Sequence, residues 1–222
     1  METQKDAFLR YEADNWFKRN KEALHSNVDD DMVIKVLNEY SAEPNRVLEI
    51  GCSAGHRLQK IASNFRNVQA TGIEPSDEAI LYGKKNFPSI NFIKGTADDL
   101  SFLSSASFDL VVIGFVLYVV DREMLFKVIA ETDRVLEDGG ILMIVDFFSE
   151  KPLRNSYQHI NEFNAYSYKQ NYEEIFTASK LYHLLDKRSI SHTNAAKYDI
   201  TSNYHDKYTL VTLRKDLLAA YK

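Results

Sequence analysis

Apolar positions along the chain follow two alternating periods. Short, nearly continuous apolar runs occupy Val47–Ile50, Ala70–Ile73, Ile90–Lys94, Phe108–Ile113 and Ile141–Val145, and each reads as a buried strand. Helical spacing fills the gaps. Leu58, Ile61, Ala62 and Phe65 share one face, and Ser76 is placed to cap a helix over 77–85. Met124, Leu125, Val128, Ile129 and Leu136 lie on or near one face of a helix over 122–136, which Gly139-Gly140 should end. This alternation of strand and helix predicts a mostly parallel sheet covered on both faces.

The flanks differ. Residues 3–24 predict a helix with Phe8, Tyr11, Trp16 and Phe17 on an aromatic face. Asp29–Asp31 should cap a second helix running to Tyr40, with Val33, Val36 and Leu37 as its apolar stripe, and Pro44 separates it from the first strand. Beyond residue 147 the pattern loosens into aromatics, Asn and short elements. Tyr208–Leu213 alternates as a late strand, and 182–189 suits its partner in an antiparallel hairpin at the sheet edge. The expected plan is one domain over 1–222. It has a helical cap (1–42), a ligand-binding core (45–146), and a substrate-side insertion with the final strands (147–222).

The most telling segment is Val47-Leu48-Glu49-Ile50-Gly51-Cys52-Ser53-Ala54-Gly55, a buried strand entering a glycine turn. Gly51 should allow chain reversal and close ligand approach, and Gly55 tight strand–helix packing. N–H groups at the following helix start can meet polar ligand atoms. Glu49 sits in an apolar strand, so its carboxylate needs hydrogen bonds from the turn or a ligand's polar tail. A dinucleotide fingerprint needs glycines at relative positions 0, 2 and 5. Here Ser53 and His56 occupy the second and third, and Gly55-His56-Arg57 replaces the Walker sequence. Glu74 ends the second strand, where its two oxygens can accept from both hydroxyls of a ribose. A helix-capping role is the structural alternative.

Five segments together resemble class I S-adenosylmethionine-dependent methyltransferases. They are Leu-Glu-Ile-Gly-Cys-Ser-Ala-Gly at 48–55, Gly-Ile-Glu-Pro-Ser at 72–76, Gly-Thr-Ala-Asp-Asp-Leu-Ser-Phe at 95–102, Ser-Phe-Asp-Leu-Val at 107–111 and Arg-Val-Leu-Glu-Asp-Gly-Gly at 134–140. Ser53 departs from the family's frequent middle glycine. The resemblance implies a Rossmann-like α/β fold with a seven-stranded, mostly parallel sheet, helices on both faces and a C-terminal antiparallel hairpin. It implies S-adenosylmethionine as cofactor and S-adenosylhomocysteine as product. Gly51, Cys52, Ser53 and Gly55 would border the methionine part, and Glu74 would hold the ribose. Pro75 and Ala97 would flank the adenine, and Asp98 would accept from its amine. An acid is often found where this chain has Thr96, and Asp99 competes with Asp98. Gly114 and Phe115 would approach the sulfonium, and Tyr118 would orient the acceptor.

The N-terminal segment resembles those of bacterial small-molecule methyltransferases of the surface-sugar or nodulation type. That likeness would make it a lid, with Arg19 on the cofactor carboxylate or a substrate anion and Tyr11 and Trp16 excluding water. Tyr166, Tyr168 and Lys169 would face a hydroxyl- or phosphate-bearing acceptor. Asp146, at the end of strand five, and His159 or His192 could take the acceptor's proton.

Composition narrows partners. A net charge of -5 offers no broad basic surface, so no nucleic acid is expected. The longest apolar run, near 110–120, is too short to span a membrane. A lone cysteine and no signal-like start suit the cytoplasm. The six histidines, His25, His56, His159, His183, His192 and His205, lack tight ligand spacing, so no metal site is read, though a carboxylate-bound magnesium stays open. The expected activity is methyl transfer to O or N of a small polar acceptor, a sugar or sugar nucleotide among them, by a monomer or homodimer. The rival readings are a noncatalytic S-adenosylmethionine-binding interaction protein, a methyltransferase acting on protein or lipid, and an NAD-dependent oxidoreductase, the last disfavoured by the glycine spacing.

Overall fold

The computed structural model describes residues 2–26, 31–191 and 207–218. Asp29, Asp30, His192, His205 and the side chain of His25 lie outside the described residues. The elements in chain order are α1 (Gln4–Ala7), a π-helical turn (Phe8–Glu12), α2 (Ala13–Ser26), α3 (Met32–Glu39), β1 (Arg46–Ile50), α4 (His56–Asn64), β2 (Gln69–Glu74), α5 (Asp77–Asn86) and β3 (Asn91–Lys94). They continue with β4 (Phe108–Gly114), α6 (Leu125–Val135), β5 (Leu136–Phe147), β6 (Leu153–Ser156), β7 (Tyr166–Lys169), α7 (Glu173–Ala178), β8 (Tyr182–Ser191) and β9 (Lys207–Lys215). Seven strands form one sheet in the order β3-β2-β1-β4-β5-β9-β8. The first five are parallel, and β9 and β8 close the edge antiparallel. This is the expected Rossmann-like architecture.

Strand periodicity divides the core. Leu48 and Ile50 of β1, Val111 and Ile113 of β4, and Leu142 and Ile144 of β5 pack into one cluster. Their neighbours Val47, Leu110, Val112, Met143 and Val145 pack into another. Successive side chains of a strand point to opposite faces, so both faces of the central strands are buried, as near-continuous apolar runs require. Each fully buried Leu or Ile is worth about 1.5–3 kcal/mol relative to exposure.

Three expectations need correcting. The helix over 3–24 is instead α1, a π turn and α2; Thr3 starts it with a capping box to Asp6. Gly139-Gly140 does not end α6. The helix stops at Val135, and the glycines lie within β5, where the register jumps from Phe108 opposite Leu136 to Leu110 opposite Ile141. Gly139 takes φ +83° there, a left-handed conformation that glycine adopts without strain. The small sheet of β6 and β7 also went unforeseen. Ser76 caps α5 as expected, its side chain accepting from the Ala79 N–H, and Asp31 caps α3 through the Val33 N–H.

Gly83 of α5 and Gly55 before α4 both face the Phe92 ring. A Cβ on Gly83 would lie 2.5 Å from Phe92 Cζ and 2.9 Å from the Ala54 carbonyl oxygen. Alanine at an ordinary helix-interior glycine gains up to about 1 kcal/mol. At Gly83 the overpacking reverses the sign, and Gly83→Ala is expected to cost about 1–3 kcal/mol. Urea unfolding midpoints measure this; an increased midpoint would contradict it.

Candidate active site

The site is built at the carboxyl ends of the parallel strands, where open α/β sheets place ligands. After β1 the chain turns through Gly51 at φ +77°, and the N–H groups of Gly51 and Cys52 donate to the Ile73 carbonyl at 2.9 and 3.1 Å. A Cβ at Gly51 would lie 2.3 Å from Val116 Cγ2, so glycine here lets the β1 turn close against the segment after β4. Ser53 takes φ +48°, the left-handed region, at a cost of roughly 1–2 kcal/mol for a non-glycine residue. Its N–H donates to Glu74 Oε2 at 2.8 Å, and the Ser76 N–H donates to Oε1 at 2.9 Å. Glu74 therefore ties the glycine turn to the start of α5. Each of its oxygens retains a further lone pair for a ligand. Gly55 faces Phe92 and packs the strand–helix junction rather than lining the cavity.

Between these strand ends and the N-terminal segment lies a cavity of about 980 Å³. The N-terminal segment is fastened across it at several points. Gln4 Nε2 donates to the Val119 and Tyr166 carbonyls at 2.9 and 3.1 Å, and its Oε1 accepts from the Tyr166 N–H at 2.9 Å. Lys5 pairs with Asp98 at 2.8 Å, and Asp14 accepts from the Ser76 hydroxyl at 2.6 Å. On one side Cys52, Ile73, Glu74, Pro75, Ala97 and Asp98 form the wall. Burial pushes the Cys52 thiol well up, so it is an apolar wall group rather than a nucleophile. Burial pushes the Asp98 carboxyl up, but Lys5, which the sequence reading did not single out, together with Thr96 holds it below the usual carboxylate range.

A second unforeseen element is an ionic triad. Arg57 donates through Nη1 to Glu49 Oε1 at 2.5 Å and through Nε to Asp31 Oδ2 at 2.8 Å. The partner of Glu49 is thus a guanidinium from α4, not the turn. Its Oε2 is buried without a hydrogen-bond partner, and burial raises its pKa despite Arg57. This explains Gly114: a Cβ there would stand 2.7 Å from Arg57 Nη1. The glycine makes room for a buried ion pair, and only its backbone borders the cavity.

The opposite wall is aromatic. Phe115, at φ +53°, meets the rings of Phe147 and Tyr208 at 5.3 and 5.4 Å, and Tyr118 meets Phe147 edge-on at 4.9 Å. Trp16 and Tyr157 stand on the same wall, and burial raises the Tyr118 pKa. Tyr157 donates to the buried Glu12 at 2.5 Å, and Arg19 pairs with both Glu12 oxygens. Arg19 lies on the cavity wall with its guanidinium committed to Glu12. Tyr11 is off the wall, with Arg10 above its ring. His159 is exposed on the rim beside Tyr157. Tyr166 and Tyr168 lie outside the cavity, stacked under Arg154 and Arg122, and Lys169 lies over Phe147.

Asp146 is the clearest correction. Val145 and Phe147 line the cavity and Asp146 does not. It is 1% exposed and accepts from the N–H groups of Leu117 at 2.8 Å, Tyr118 at 3.3 Å and Phe147 at 2.7 Å. Strand alternation turns it to the other face, where it holds the segment carrying Tyr118. Among the described residues no cluster of His, Cys, Asp and Glu is arranged to hold a metal.

Burial raises Glu74 from 4.5 to about 7, against the two N–H donors. The folded protein therefore holds a proton there that the unfolded chain has lost, and stability falls as pH rises from about 4.5 to about 7. Glu74→Gln is expected to flatten this fall by on the order of 1–3 kcal/mol. Unfolding midpoints of both proteins across that window test it; parallel curves would refute the assignment.

Comparison with known proteins agrees with this geometry. Residues 47–140 match the family model described as a methyltransferase domain. The ubiquinone/menaquinone biosynthesis C-methyltransferase of Campylobacter jejuni is 31% identical over 121 residues, covering 51% of this chain and 49% of that protein. The chain thus matches about half the length of this curated relative. Two structures with S-adenosylhomocysteine bound share the fold. An N-methyltransferase from Burkholderia thailandensis has a TM-score of 0.67 at 13% identity over 90% of this chain and 84% of its own. NodS, an N-methyltransferase from Bradyrhizobium japonicum, has 0.57 at 18% over 93% and 94%. Residues 47–140 are thus similar to a methyltransferase domain, and the fold is shared with both methyltransferase structures.

Proposed function

We propose that the chain transfers the methyl group of S-adenosylmethionine to an O or N atom of a small polar acceptor. The observation that carries this reading is the position of Glu74, a buried carboxylate at the end of β2, tied by Ser53 to the glycine turn and open to the cavity. The residues fit the cofactor: Glu74 for the ribose hydroxyls, Pro75 and Ala97 for the adenine faces, and the Gly51 turn with Glu49 for the methionine end. The cofactor supplies a methyl group already activated as a sulfonium, so the protein's task is alignment and exclusion of water.

The chain's own residues divide that work. Asp146 fixes the backbone of Leu117 and Tyr118, and Tyr118 orients the acceptor from there. Trp16 and Phe8 cover the cavity from the N-terminal segment. His159 on the rim and Glu12 within are the groups able to receive an acceptor proton. A sugar-linked acceptor, with or without a nucleotide, is the sequence-based expectation, and the rings of Trp16, Phe147 and Tyr157 support the stacking it needs. Among the described residues no helix is long and apolar enough to cross a membrane; we place the protein in the cytoplasm, as a monomer or homodimer.

Calorimetric titration tests the cofactor reading. S-adenosylmethionine and S-adenosylhomocysteine are expected to bind at one site and NAD not at all. Hydroxyl donors favour ionised Glu74, so affinity should rise as pH passes through about 7. Glu74→Gln should weaken binding about 10- to 100-fold, the worth of hydrogen bonds to a charged group, and remove the pH dependence. Binding of NAD, or of neither methyl-cycle ligand by folded protein, would refute it.

A further inference from the structure

The charges and hydrogen-bond donors on the cavity wall restrict what the acceptor can be. Among the described residues three cationic side chains reach the wall, and each is already paired: Lys5 with Asp98, Arg19 with Glu12, Arg57 with Asp31 and Glu49. Against them stand six described carboxylates, those four together with Glu74 and Asp121. These side chains carry a surplus of negative charge, and protonating both Glu49 and Glu74 would not reverse it. A phosphate entering here would meet no free cation among the described residues. It would also meet uncompensated carboxylates in a partly desolvated space, where like charges repel strongly.

The aromatic wall adds an acceptor pair. The Tyr157 hydroxyl donates to Glu12 at 2.5 Å, and Arg19 pairs with both Glu12 oxygens. A carboxylate only accepts, so the pair leaves a ligand the lone pairs of the Tyr157 oxygen and of Glu12. Around these lie ring faces and edges from Phe8, Phe115, Tyr118 and Phe147. Such a wall binds the face of a ring and accepts a hydrogen from it.

We propose that the acceptor is an uncharged ring compound presenting a hydroxyl or amine hydrogen to the Tyr157–Glu12 pair, and that phosphate-bearing acceptors, sugar nucleotides included, are excluded. This rests on the cofactor reading of the same cavity and narrows its substrate class. It follows from the charges and rings of the wall, whereas the hydroxyl- or phosphate-bearing acceptor weighed from the sequence was set against Tyr166, Tyr168 and Lys169, which lie outside the cavity.

Calorimetry on the full chain saturated with S-adenosylhomocysteine tests the proposal. The probes are catechol, indole, β-naphthol and methyl β-glucoside on one side, and UDP-glucose and glucose phosphate on the other. At least one uncharged ring is expected to bind 10-fold or more tighter than either phosphate, with an affinity that does not change with salt. Trp16 is the only tryptophan, so quenching of its fluorescence by that ring locates binding at this wall, and Trp16→Phe removes the signal. Equal or tighter binding of UDP-glucose overturns the proposal, as does failure of every uncharged ring to bind. Failure of S-adenosylhomocysteine itself to bind is a different result: it removes the cofactor reading on which the proposal rests.

Discussion

The site depends on the close approach of two strand-end segments, the turn after β1 and the backbone after β4. Gly51 permits it, because a methyl group there would fall 2.3 Å from Val116 Cγ2. Both segments are then pinned by carboxylates from elsewhere. Glu74 on β2 holds the Ser53 N–H, and Asp146 on β5 holds those of Leu117 and Tyr118. A turn in the left-handed region and exposed N–H groups are costly alone, and buried carboxylates are costly alone. Together each satisfies the other, and the strand ends are left rigid around an open cavity.

That arrangement stores charge in an apolar setting. Glu49, Glu74 and Asp146 are all buried, and for each the loss of water is the largest influence raising the pKa. Only Glu49 has a cation beside it. Glu74 and Asp146 rely on backbone N–H groups, which stabilise the ionised form without neutralising it. Glu49 and Glu74, presented to the cavity from the adjacent strands β1 and β2, suit a ligand with positive charge and hydroxyl donors, and S-adenosylmethionine has both. The same surplus of acceptors that welcomes the cofactor repels an anionic acceptor.

Much of this was legible because it is periodic. The strands, their order of burial and the C-terminal antiparallel pair follow from runs and alternation that survive any tertiary context. The cavity also contains most of the residues singled out beforehand, from Glu49 through Ser53, Glu74 to Pro75, Ala97, Asp98, Gly114, Phe115 and Tyr118. Contacts between distant elements were not legible. Arg57 meets a residue 26 positions earlier, Lys5 reaches Asp98, and Glu12 reaches Tyr157. No local pattern specifies those pairings, and they determine that Arg19 and Gly114 answer to protein groups first.

Asp146 differs, because the signal that places it was present and went unused. A polar residue at a strand end can look catalytic from its position alone. Its neighbours decide otherwise: in a strand, if Val145 and Phe147 face a cavity, the residue between them faces away. Gly114 teaches a related point. A glycine where a ligand is expected reads as room for the ligand, yet here a Cβ would strike Arg57. A glycine shows that something comes close, and only the surrounding packing shows what. The functional geometry is therefore set less by the residues of the glycine turn than by the carboxylates and guanidinium that other elements bring up beneath it.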